Sequence, residues 1–471
     1  LLLLKLKNII SHLETGFYET IENELVKTKA ENFLFLLRAY RLNTDDSEIV
    51  KKLELNSNSF HALKSRLYDK IQNHLSASIN ITKEELIKKI DGLPQMCFNE
   101  PREIVIPFLE KIESDLKKHD MHSELLSVYS AFKKVNLYSD KYFYYSQLYN
   151  KHVAFCLSIE KSEEILGNFN NLLGQYFFSK SNALIDALLF NKKEILNQIA
   201  LNPSKQIEII KNIMDVQLYL FCNITNTTEI NVEEVLKSTR KIIEELPDSS
   251  IYKYWNTAID YLAFEYFFKE GKIQQAEVFF NKVDSKLQSL LLYSNICFVA
   301  HFLISKIEFA QKTNRIKEFC DSDDSEIYTE VNDKYAMVCY ALYNAMKLYY
   351  KGRVQEAANI LQQIVNENNF RDYFHISAEI KFTLALFYME LTMYDPAMNV
   401  LKSIYRKIKY NKALNYSNAL SLIKFLETDI DNNSGTLTKK QKDDFVLFIA
   451  RNKNETELLK HFVFELDKKY S

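Results

Sequence analysis

Residues 384–401 read LALFYMELTMYDPAMNVL, and this stretch decides the fold. Leu384, Ala385, Leu386, Phe387 and Tyr388 form an apolar helical run, Thr392-Met393-Tyr394 a short turn, and Ala397 and Leu401 one face of a second helix. Asp395 is a good N-cap, and Pro396 suits the first helical position, where its missing N–H costs nothing. Ala397 lies five residues after the turn position Thr392. The same step separates Ala276 from Gly271 and Ala357 from Gly352. The three turns are 81 and 40 residues apart, which is close to multiples of about 40. A period in that range marks an array of helix pairs that cannot bury their apolar faces alone.

Composition agrees with this reading. The chain has 471 residues but only 7 glycines and 6 prolines, so long helices and short connections are expected. Sheets, nucleotide-binding α/β folds and phosphate loops need glycine at fixed places, and are disfavoured. With 47% hydrophobic residues there is ample material to bury. A net charge of −2 gives no bulk footprint for nucleic acid or a membrane surface. Cys97, Cys156, Cys222, Cys297, Cys320 and Cys339 are far apart, without zinc or disulfide spacing. They read as buried free thiols, and the expected location is cytoplasmic. Leu1–Leu4 are followed at once by Lys5 and Lys7, so no signal peptide is expected. The uncharged run from Leu287 to Ser305 carries Gln288, Ser289, Ser294, Asn295 and His301, and reads as a buried helix, not a membrane span.

Further helix pairs turn at Glu270-Gly271-Lys272, Lys312–Arg315 and Lys351-Gly352-Arg353. Upstream, Leu125–Lys134 and Asp140–Lys151 read as another pair. Three parts are expected: an N-terminal helical region over 1–100, the repeat array over 101–430, and capping helices over 431–471.

The unit at 384–401 resembles a tetratricopeptide repeat, with its Leu-small-x-x-Tyr first helix, an aromatic after the turn and a second-helix alanine. Ala345, Gly352, Ala357 and Leu361 form a second match. Phe267, Gly271, Ile273, Ala276 and Phe280 form a third, with Phe264 where a small residue is usual. The unit turning at Asn314 carries Phe319 in place of the alanine. The period near 40 exceeds that family's 34, so the repeats are lengthened or divergent. The resemblance implies an all-α superhelical array of antiparallel helix pairs, a TPR-like α-solenoid. It also implies a protein or peptide partner held on a concave surface.

A second resemblance lies near the N-terminus. Ser47–Leu53 reads as a short helix, Glu54–Asn58 as a turn, and a longer helix opens at Ser59. This resembles a helix-turn-helix, with Ser59 as N-cap and Phe60 behind it. The resemblance implies that Asn58, Ser59, His61, Lys64 and Ser65 approach a groove and that Arg66 meets a phosphate or base. Glu54 stands where glycine is common, and Lys52 where an apolar residue is common. Five cations against five anions over 45–71 leave no net attraction for DNA, so an ordinary helix pair is favoured. Phe60, Leu63 and Leu67 are expected to pack on Phe33, Leu36 and Leu37.

No phosphate loop, zinc-protease, nucleophile-elbow, dinucleotide or EF-hand motif occurs. His119, Asp120 and His122 lie together but lack a nearby third ligand, and read as a solvated helix junction. Thr82 and Glu85 read as a capping box. The expectation is therefore a non-enzymatic interaction scaffold without cofactor or metal. The alternative is a regulator with an N-terminal DNA-binding helix-turn-helix and a partner-sensing array.

Overall fold

The computed structural model describes residues 6–7, 9–10, 13, 15–77, 83–222, 231–246, 250–287, 297–322, 334–367, 370, 373–410, 417–431 and 443. Among them the chain is all-helical, without strands. The expected capping helices, the capping box at Thr82 and residues 288–296 of the run 287–305 lie outside these residues; residues 297–300 are not helical, and the expected helix begins only at His301. No described helix is long and apolar enough to cross a membrane.

Two compact units are present. The first comprises residues 1–161, 198–208 and 244–249, and the second comprises 162–197, 209–243 and 250–471.

The first unit begins with α1 (Thr15–Lys27), α2 (Glu31–Arg41), α3 (Asp46–Leu53) and α4 (Ser57–Ala77). Leu36, Leu37, Tyr40, Phe60 and Leu67 form one core there, with Phe33 and Leu63 against it. The packing expected for Phe60, Leu63 and Leu67 is thus present. Next come α5 (Lys83–Asp91), α6 (Leu93–Asn99), α7 (Arg102–Lys118) and α8 (His122–Val135). Their core joins Leu109, Ile112, Leu116, Leu125, Tyr129 and Phe132.

Four helices contribute residues to both units: α9 (Lys141–Ser179), α10 (Asn182–Leu201), α11 (Lys205–Cys222) and α12 (Val232–Glu245). The sequence reading ended the helix after Asp140 near Lys151, but α9 runs on for 39 residues. No Pro lies in that span, and its two glycines, Gly167 and Gly174, sit in helical backbone.

The second unit continues with α13 (Ser250–Lys269), α14 (Ile273–Asp284), α15 (His301–Lys312), α16 (Ile316–Asp321), α17 (Lys334–Tyr350) and α18 (Val354–Glu367). It is completed by α19 (Phe374–Glu390), α20 (Tyr394–Tyr410) and α21 (Ser417–Asp431). Consecutive helices pack on one another: α13 on α14, then α17 on α18, α18 on α19, α19 on α20 and α20 on α21.

The same corner closes four of these helices. Gly271, Asn314, Gly352 and Thr392 all have left-handed backbone, with φ of 72°, 57°, 75° and 57°. At each corner the next residue's N–H reaches back five positions: Lys272 to Phe267, Arg315 to Ala310, Arg353 to Leu348 and Met393 to Tyr388. The corner residue's own N–H bonds Phe268, Gln311, Tyr349 and Met389. This is the Schellman arrangement, which satisfies the last carbonyls of a helix. The same bonds recur at Lys29, Asn43 and Asp120. Glycine is scarce because Lys, Asn, Asp and Thr hold most of these left-handed positions.

Ala276, Ala357 and Ala397 are fully buried five residues after their corners. A methyl there lets the two helices of a pair approach closely. Where Phe319 replaces the alanine, the second helix is only six residues long, and the ring stands edge-on to Tyr343. Phe264 fills space toward the next pair, meeting Phe302 and Phe309 edge-on. Such ring pairs add about 0.5–1.5 kcal/mol beyond area burial.

The paired helices differ in exposure. Among described side chains, α13, α15 and α19 expose none before Lys269, Lys312 and Glu390, and α17 exposes none. By contrast α14, α18 and α20 are amphipathic, each with one buried stripe. The first helix of each pair is thus the more enclosed and the second the more exposed.

Two boundaries differ from expectation. Helix α20 starts at Tyr394, so Asp395 lies inside the first turn, and Pro396 is tolerated because first-turn N–H groups have no intrahelical partner. Helix α4 starts at Ser57, so Ser59 is not its cap; the Asn56 Oδ1 accepts the Ser59 N–H at 2.8 Å.

Candidate functional site

The segment that resembles a helix-turn-helix consists of two helices and a short turn. Helix α3 ends on Glu54 at φ 51° and ψ 36°, the left-handed position where glycine is common, and α4 follows after a three-residue turn. Asn58, Ser59, His61, Ser65 and Arg66 are exposed on α4. Lys64 is not: it is 3% exposed, and its Nζ donates to Asp46 Oδ2 at 2.8 Å. The Tyr40 hydroxyl donates to the other oxygen, Oδ1, at 2.6 Å. Partial burial raises the Asp46 carboxyl, but the bonds from Lys64 and Tyr40 outweigh it and hold the group below its ordinary value. The Lys64 ammonium therefore ties α4 to the start of α3 and is turned away from the exposed polar face.

A second cluster forms where α7 meets α8. Asp120 takes the left-handed corner, and its Oδ2 accepts the Ser204 hydroxyl at 2.7 Å and the Lys205 N–H at 2.8 Å. It thereby caps α11. Its Oδ1 lies 2.9 Å from His122 Nε2, and His122 Nδ1 lies 2.9 Å from His152 Nδ1. Phe155 stacks on His122, and Tyr129 on His152. Burial, with the neighbouring His122 and lysine charges, lowers His152 to about 4. The expected solvated junction is therefore a packed one, with His122 only 8% exposed. His119 stays apart, its Nδ1 3.3 Å from the Glu245 carbonyl. No group of three His, Cys, Asp or Glu among the described residues can hold a metal. His122 and His152 are 30 residues apart, and no periodicity in the sequence pairs them.

The third cluster is in the second unit. His301 Nδ1 lies 3.4 Å from Glu265 Oε1 and 3.1 Å from Ser305 Oγ. A Ser–His–acid relay needs hydroxyl and carboxylate on opposite ring nitrogens, whereas here both approach the same one. Gln217 is fully buried; its Nε2 donates to Asn170 Oδ1 at 3.1 Å and its Oε1 accepts the Phe298 N–H at 2.8 Å. The Tyr261 hydroxyl donates to the Phe298 carbonyl at 2.8 Å. Burial first, then the Glu265 charge, raises the Cys297 thiol far above its ordinary range. A protonated, enclosed thiol is a poor nucleophile. Phe177 and Phe221 pack against His301, and Phe178 against Tyr373 at the start of α19. Residues 170–178 of α9 thus lie against α11, α15 and the residue that precedes α19. This polar and aromatic network holds helices together, and its groups are spent on one another.

No family model, curated protein or solved structure matches this chain.

Proposed function

We propose that this chain is a non-enzymatic scaffold built as a superhelical, TPR-like array, and that it binds a peptide or helix from a protein partner. The observation that carries the reading is the repeated unit: the same left-handed corner, followed five residues later by a buried residue, at 271, 314, 352 and 392. Arrays of this kind present repeated side-chain surfaces, and their usual use is recognition. The concave surface of the resemblance corresponds to the first helices of the pairs. There α9 already occupies positions near His301 and Tyr373, so the partner surface is sought on first-helix positions outside that contact and on the edges of the second helices. A peptide-display selection on the full chain tests the proposal. Enrichment of one sequence class, with amide-exchange protection confined to α13–α20, is expected. Enrichment no better than blank resin would remove the scaffold reading.

The corner at Glu54 favours a second reading, a DNA-binding regulator using Asn58, Ser59, His61, Ser65 and Arg66. The burial of Lys64 subtracts one phosphate contact from a segment whose charges already cancel. We therefore rank it second.

A further inference from the structure

Helix α19 is enclosed on nearly every side, yet it carries Lys381 in its middle. The Lys381 Nζ donates to the Ser403 hydroxyl of α20 at 3.0 Å. No carboxylate among the described residues pairs with it. Lys407 lies one turn after Ser403 on the same face of α20, and its charge is near enough to act on Lys381. Burial, then Lys407, lowers the Lys381 ammonium below its ordinary value. The Lys381 ammonium thus meets a hydroxyl and the influence of a second cation, with no anion beside it among the described residues. Buried or half-buried charges are normally paired, because desolvation without a partner is costly. Elsewhere in this unit the rule is kept: Lys306 bonds Asp284 at 2.6 Å, and Lys192 bonds Asp215 at 2.6 Å.

The surroundings extend the same charge. Lys402, Arg406, Lys407 and Lys409 are exposed on α20, whose own acidic residue, Asp395, is at the far end. Arg406 and Tyr410 lie three and seven residues beyond Ser403, on the face that Ser403 shares with Lys407, and Tyr410 is 86% exposed. A recessed ammonium, a hydroxyl donor, a cationic rim and one exposed ring fit a carboxylate side chain on an acidic segment.

We propose that Lys381, Ser403 and Lys407 form a docking site for the carboxylates of an acidic segment of a protein partner. The proposal rests on the scaffold reading and names the partner's chemistry. An acidic peptide is favoured over nucleic acid because the cationic strip covers about two turns of one helix. Nucleic-acid affinity comes from many phosphate contacts over a long surface.

The test titrates fluorescein-labelled hexaglutamate into the full chain and follows anisotropy. Lys381→Met should weaken binding about tenfold, as loss of a recessed charge pair does. Lys407→Met, on the surface, should weaken it about threefold. Lys193→Met, exposed on α10, should leave it unchanged. Without peptide, Lys381→Met should melt at or above the wild-type temperature, since it removes an ammonium that has no counter-ion among the described residues. Equal affinity in all four proteins would overturn the proposal, as would a lower melting temperature for Lys381→Met. Tighter binding of a mixed-sequence duplex, lost in the same variants, would also overturn it and reassign the site to nucleic acid. Failure with hexaglutamate leaves the scaffold reading to the display selection, so the two can fail separately.

Discussion

Exchanging residues at the left-handed corners should move stability in opposite directions at chemically similar places. A Cβ built on Gly352 or Gly271 meets nothing within 4 Å, so an added methyl there carries no packing penalty. The remaining cost is the clash of Cβ with the backbone at φ near +75°, about 1–2 kcal/mol. Part of this is offset, by about 0.4–1 kcal/mol, because alanine also stiffens the unfolded chain. Gly352→Ala should therefore destabilise by about 1 kcal/mol. Thr392 is the converse case: a β-branched residue at φ 57°, whose hydroxyl bonds only the adjacent Leu391 carbonyl. Thr392→Gly removes the clash and should stabilise by about 0.5–1 kcal/mol. Urea denaturation followed by far-UV circular dichroism reads both. Shifts of the same sign, or no loss in Gly352→Ala, would refute the view that these corners set the helix ends.

Other outcomes follow from the same geometry. Ala357→Leu and Ala397→Leu should each destabilise by roughly 1–3 kcal/mol, and a change at exposed Gln355 by less than about 0.5 kcal/mol; equal effects in urea melts would mean these alanines are not at close helix contacts. Lys64→Ala should cost about 1–2 kcal/mol by stranding Asp46, whose side chain is 51% exposed, while Arg66→Ala should be near neutral. His152 has a lowered value of about 4, so its contribution is fully present above the ordinary imidazole value of 6.5. That contribution is lost as pH falls from 6.5 toward 4, by about 1–2 kcal/mol after solvent screening; stability measured against pH in His152→Gln should lack this slope. Duplex DNA should bind no tighter than the non-specific range, about 10⁻⁴–10⁻⁶ M at physiological salt, and submicromolar anisotropy binding that disappears in Arg66→Ala would favour the regulator instead.

Local features were the legible ones. The turns at Gly271, Gly352 and Thr392 and the alanines after them were readable because a corner and its close contact span only a few residues. Lys64 reads as an exposed contact from sequence alone because its partner, Asp46, lies on another helix. The same limit hides the meeting of His122 with His152 and of Lys381 with Ser403. The length of α9 is not legible in the sequence for a different reason: polar residues inside a helix resemble a break. The places of Phe177 and Phe178 are not legible either, since sequence spacing gives no sign that a distant helix lies against His301 and Tyr373.

The array proposal is tested most directly by removing its last three described helices. In a repeat array each pair depends on its immediate neighbours, so shortening costs one interface and not the whole core. A chain ending at residue 373 lacks α19, α20 and α21. It should keep the helical content per residue of the full chain and still melt cooperatively, only at a lower temperature. A shortened chain that loses its thermal transition and its helical signal together would contradict the array.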